Sequence, residues 1–128
     1  MRMLFLFFAV LCSNSFFAQS EFKIDSKNHF PKKGYGFQLI TVFDDSRCPE
    51  GVTCIWAGEV STTIKVYKNN KFFELKTFTF NAKNKEENFK WFSTYFQKKI
   101  KSIGVFPYPK DGQIVKLKNQ YIHIVFMD

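Results

Sequence analysis

The sequence predicts an all-β fold, a small antiparallel β-sandwich or barrel-like domain. Three observations carry that expectation. Short runs alternate apolar and polar residues, as strands with one dry face do. The runs recur at regular spacing, with Gly, Pro, Asn and Asp between them. Two of them flank Asn69-Asn70, which fits a tight hairpin because Asn tolerates positive φ. Chains patterned in this way form sandwiches or barrels.

The chain opens MRMLFLFFAVLCSNSFFAQS. Arg2 supplies a positive start, Leu4 to Leu11 an apolar stretch, and Ala18 and Ser20 a small-x-small cleavage pattern, so residues 1–20 read as a secretory signal peptide. The apolar stretch is far shorter than the roughly 20 residues a membrane span needs. Acylation of Cys12 is not expected, because Leu11 stands where a lipid-attachment site needs a small residue. Residues 21–128 are then expected to form one β domain, exported to the periplasm or the medium.

Glu21 to Asp25 alternates weakly and reads as a first strand. Pro31, Gly34 and Gly36 punctuate the connection that follows. Phe37 to Asp45 alternates with Phe37, Leu39, Thr41 and Phe43 on one face and Gln38, Ile40, Val42 and Asp44 on the other. Val60 to Lys68 alternates with Val60, Thr62, Ile64 and Val66 together, and Lys71 to Phe80 resumes after the Asn-Asn turn. Asn81 to Asn88 reads as a polar loop. Phe89 to Val105 is ambiguous: Phe92, Phe96 and Ile100 recur at helical spacing, which allows a short helix near 89–100, yet alternation also runs through FKWFSTYF. Pro107 and Pro109 end that segment, and Asp111-Gly112 marks a turn. Ile114 to Leu117 is expected as a short strand. Tyr121 to Met127 is expected as the last one, with Ile122, Ile124 and Phe126 on its dry face. The eighteen phenylalanines are expected to fill the core between the sheets.

The formal net charge is +8, but 17 of the 19 cationic side chains are lysines, spread along the strands as on a solvated face. An exported protein is poorly placed to meet nucleic acid, and no nucleic-acid partner is expected. Because lysine is the default cation, Arg47 carries information. Its planar fork can hold a carboxylate and backbone carbonyls together. Arg47 is therefore expected to be partly buried and paired with Asp45 or Glu59.

Arg47 lies in the densest run of the chain, DDSRCPEGVTCIWAGEV. Cys48 and Cys54 are the two cysteines beyond residue 20, and an even pair in an exported protein suggests a disulfide. It would close a small loop over Pro49, Glu50, Gly51, Val52 and Thr53. Gly51 can supply a positive φ, Trp56 is placed against the bridge or the core, and Gly58 permits close packing. A metal thiolate would need further donors, and His29 and His123 are remote in sequence. No metal or cofactor is expected.

The pattern D-S-R-C-P-x4-C-x-W-A-G, from Asp45 and Ser46 to Gly58, resembles a motif in a group of small exported bacterial proteins, some of them lipoproteins. The resemblance extends loosely to Pro107-Tyr108-Pro109. It implies export and β architecture, and it implies no reaction.

Enzyme motifs are missing: there is no Gly-x-Ser-x-Gly, no His-Glu-x-x-His, no phosphate loop and no dinucleotide fingerprint. His123 alternates with Tyr121 and Val125 as a strand-face residue rather than a base. A binding or interaction module is the leading expectation, a monomer presenting the rigid loop Glu50–Thr53 to an unidentified protein or envelope partner. A structural envelope or surface component is the alternative. A cation site built from Asp44, Asp45, Glu50 and Glu59 is a further one.

Overall fold

The computed structural model describes residues 20–27, 31–110 and 113–127. The signal-peptide reading, Cys12, His29 and the Asp111-Gly112 turn lie outside the described residues. The elements run β1 (Glu21–Asp25), β2 (Tyr35–Phe43), β3 (Val60–Lys68), β4 (Lys71–Phe80), α1 (Lys85–Phe96), β5 (Ile100–Phe106) and β6 (Tyr121–Phe126), with a 3₁₀ turn at Leu117–Asn119. Two antiparallel three-stranded sheets, β1-β6-β5 and β2-β3-β4, pack as a sandwich rather than a closed barrel.

Alternation builds both sheets. Val60, Thr62, Ile64 and Val66 of β3 are all buried, as are Ile122, Ile124 and Phe126 of β6. These two strands are the central ones of their sheets, so their dry faces meet across the core. Asn69 and Asn70 both take positive φ, 51° and 65°, and close the β3–β4 hairpin. Asn69 Oδ1 also accepts the Gly34 backbone N–H at 2.9 Å, which ties the entry of β2 to the same turn.

In β2 the register with β3 shifts between Leu39 and Thr41. One extra residue reverses the facing of everything beyond it. Before the bulge Phe37 and Leu39 point into the core; beyond it Val42 packs inward and Phe43 is exposed, so neither keeps the company that strict alternation gives it. The strand ends at Phe43, two residues before the expected Asp45.

The ambiguous segment divides into a helix and a strand, α1 and β5. The helix starts at Lys85, inside the run expected to be a loop. Three asparagines of that run serve as ties instead. Asn81 Oδ1 accepts the Asn84 backbone N–H at 2.8 Å, while Asn84 and Asn88 donate to the Thr79 carbonyl at 3.4 and 3.0 Å. The last turn ends where Gln97 adopts left-handed φ 53° and its N–H bonds to the Ser93 carbonyl. The apolar face of α1 lies along the sandwich. Phe92 stacks on Phe78 at 5.0 Å, and Phe96 stacks on Phe37 at 5.2 Å.

Two further expectations fail. Ile114–Leu117 is not a strand; the chain there has no ladder partner, and Ile114 is almost wholly exposed. The core is also mostly aliphatic. Phe37, Phe78, Phe92 and Phe126 are its buried phenylalanines among the described residues, whereas Phe43, Phe72 and Phe73 face solvent. Branched side chains from two pleated faces fill the narrow space between sheets, and rings are left to the helix side and the edges.

Candidate functional site

The run from Asp44 to Gly58 forms a corner that leaves β2, crosses the end of the sandwich and returns at β3. Asp44 takes φ 50° and turns the chain out of the sheet. Asp45 then wraps its carboxylate around Arg47. Oδ1 accepts the Arg47 backbone N–H at 3.2 Å and Nε–H at 2.9 Å, and Oδ2 accepts Nη2–H at 2.8 Å. The guanidinium is 8% exposed overall with its residue. It also reaches the other sheet, donating from Nη1 to the Val105 carbonyl and from Nη2 to the Pro107 carbonyl at 3.4 Å. Its flat face lies 4.5 Å from the centre of the Tyr108 ring. One side chain thus holds the corner together through two hydrogen bonds to Asp45 and joins it to the end of β5 through two more and the Tyr108 ring, a task for which lysine has too few directed donors.

Partial burial alone would raise the Asp45 carboxyl. The hydrogen bonds and charge of Arg47 outweigh it and hold the carboxyl below its ordinary value. Glu59, the other expected partner, does not pair with Arg47. Its carboxylate accepts from Asn81 Nδ2 at 2.8 Å.

The corner is closed at its base and its tip. At the base, the Ser46 N–H donates to the Glu59 carbonyl at 2.8 Å, and the Glu59 N–H returns to Ser46 Oγ at 3.1 Å. Gly58 sits against this pair with φ 69°, and a Cβ there would lie 2.0 Å from the Ser46 carbonyl oxygen. No side chain larger than hydrogen fits. At the tip, the Cys48–Cys54 disulfide closes the small loop with Cα atoms 5.8 Å apart, and Gly51 turns it at φ 76°. The loop is docked as well. The Glu50 N–H bonds to the Pro109 carbonyl at 2.9 Å, and Glu50 bridges Lys110 in parallel fashion. The Glu50–Lys110 ion pair is 3.9 Å long and well exposed, so it adds little. The Pro107–Lys110 segment is therefore the seat on which the corner rests.

What the corner leaves in water differs from the expectation. Trp56 does not cover the bridge or the core. It is 80% exposed, and Ile55 beside it is 92% exposed. Val52 in the disulfide loop is exposed too. A tryptophan is ordinarily drawn inward by its apolar area, and the sequence holds no signal that this one is not.

The carboxylates considered as a cation site are dispersed among other partners: Asp45 with Arg47, Glu50 with Lys110, Glu59 with Asn81. Among the described residues, no group of three or more His, Cys, Asp or Glu side chains is placed to hold a metal ion. His123 Nε2 lies 2.7 Å from Glu21 Oε2, across the β1–β6 pair.

Beside the corner, between the end of β4 and the edge of β5, an open cleft of about 320 Å³ runs under the first turn of α1. Sequence pattern gives no sign of this cleft, whose wall includes both Arg47 and Tyr108. Compared with protein-family models, curated proteins and solved structures, the chain matches none. The disulfide fits a compartment outside the reducing cytoplasm. Among the described residues, no helix is long and apolar enough to cross a membrane.

Proposed function

We propose that the protein is an exported binding module that presents the corner Asp44–Gly58 to a protein partner in the periplasm or outside the cell. The single observation behind this proposal is the exposure of Ile55 and Trp56 within a corner fixed on every side. Large apolar side chains on a mobile loop would lose entropy on binding. Here the disulfide, the Arg47 fork and the Ser46–Glu59 pair hold the backbone in place before a partner arrives. Tryptophan is enriched among residues that dominate protein interfaces, where its truncation commonly costs about 2 kcal/mol or more.

The recognition surface is thereby moved from the loop Glu50–Thr53 toward Ile55-Trp56. Glu50 is engaged with Pro109 and Lys110 and serves to seat the loop, while Val52 stays available beside the apolar pair. A photo-crosslinking residue placed at Trp56 in the native cells tests the assignment. A discrete adduct from position 56, not obtained from Lys71, an exposed position at the β3–β4 hairpin at the opposite end of β3, supports it. An adduct pattern identical from both positions contradicts it.

A further inference from the structure

We propose that the cleft between β4, β5 and the start of α1 is a binding site for a small apolar carboxylate, a ligand with one anionic head and a short chain or single ring. This site is separate from the corner's exposed apolar pair and does not depend on the role given to that pair.

Three features point to this class. The cleft holds about 320 Å³, at the small end of the range for small-molecule sites. Its walls are apolar, with Val60, Phe80, Phe89 and Ile103 contributing from β3, β4, α1 and β5. It opens between β4 and β5, each an edge strand of its sheet, and no strand among the described residues pairs with either across the gap.

Charge supplies the second part. Among the described residues the cations lining the cleft are Arg47, Lys85 and Lys101, and no Asp or Glu lines it. Arg47 is already balanced by Asp45. Lys85 and Lys101 form no ion pair among the described residues. The Lys85 ammonium stands 5.5 Å from the centre of the Phe89 ring, so one of the two charges is held above an apolar wall. A carboxylate placed between the lysines would complete both, with its body against Phe89 and Ile103. A cation of the same shape would be repelled.

Octanoate is the probe, titrated into the ¹⁵N-labelled protein, with octylammonium as the control of equal length and opposite charge. The amides of Ile103, Gly104 and Phe89 should shift and saturate by about 5 mM, since about ten heavy atoms in an open cleft bind modestly. Octylammonium should bind at least tenfold more weakly. Lys85→Gln with Lys101→Gln should weaken octanoate roughly tenfold, the combined worth of two exposed ion pairs. Ala82→Phe, at an exposed position on the cleft wall, should abolish binding with the spectrum otherwise preserved. Equal binding of octanoate and octylammonium would overturn the proposal, and so would the lack of any saturable shift at the cleft amides.

Discussion

Replacing Arg47 with lysine keeps the positive charge and removes the fork. In the native corner the guanidinium serves Asp45 with two side-chain bonds, serves the Val105 and Pro107 carbonyls, and lies on the Tyr108 ring. One ammonium cannot direct donors to both sides. The buried Val105 carbonyl then loses its partner, at a cost of about 1–3 kcal/mol. Loss of the stacked ring adds about 0.5–1 kcal/mol. The partly exposed Asp45 pair adds no more than about 1 kcal/mol. The sum is about 1.5–5 kcal/mol, which for a chain of this size lowers the melting temperature by roughly 6–30 °C. Thermal unfolding followed by circular dichroism measures it directly. A melting temperature within about 2 °C of wild type would refute the reasoning. Acid unfolding gives a second readout. Asp45 is held below its ordinary value, so its stabilisation is present above about pH 4 and is lost as pH falls through the lowered folded value. In Arg47→Ala that part of the acid limb should flatten.

The disulfide closes a short loop, so Cys48→Ser with Cys54→Ser should cost about 2 kcal/mol by denaturant unfolding. A loss above about 4 kcal/mol would mean that the bridge supports more than its own loop. Gly58→Ala should cost about 3 kcal/mol or prevent folding, from left-handed strain and the collision with the Ser46 carbonyl, and an unchanged urea midpoint would contradict the packed base. Burial, with Glu74 and Tyr35 nearby, raises the Tyr95 hydroxyl to about 12 from its ordinary 10.0. A raised folded value gives stability that is full below pH 10 and declines as pH rises toward 12, so Tyr95→Phe should be less sensitive to alkali across that window.

Much of the fold was legible because alternation is a strong signal where one face is buried. Val60–Val66 and Ile122–Phe126 read correctly for that reason, and the Asn69-Asn70 turn fixed the hairpin between β3 and β4. The bulge at Leu39–Thr41 leaves no compositional trace, and so strict alternation groups Phe43 with Phe37 and Leu39, whereas Val42 takes the inward face. The start of α1 was hidden for a different reason. Its first turn is polar on every side, and its asparagines face the end of β4 rather than solvent alone. In the corner, the scarcity of arginine made Arg47 stand out, and an even pair of cysteines beyond residue 20 announced the bridge. The seat on Pro107–Lys110 is a contact between segments about sixty residues apart, which local pattern cannot show. Trp56 was misplaced because apolar area argues for burial, and only the finished corner shows that nothing covers it.

The most direct test of the corner as a recognition surface is partner capture by cross-linking in the native cells, comparing wild type with Ile55→Ser plus Trp56→Ser. Both side chains are exposed, so the variant should melt within about 2 °C of wild type. The account predicts a partner captured by wild type and lost, by roughly thirtyfold in affinity, in the variant. Equal capture by a variant that melts like wild type would contradict it and leave the corner as a structural joint between the two sheets.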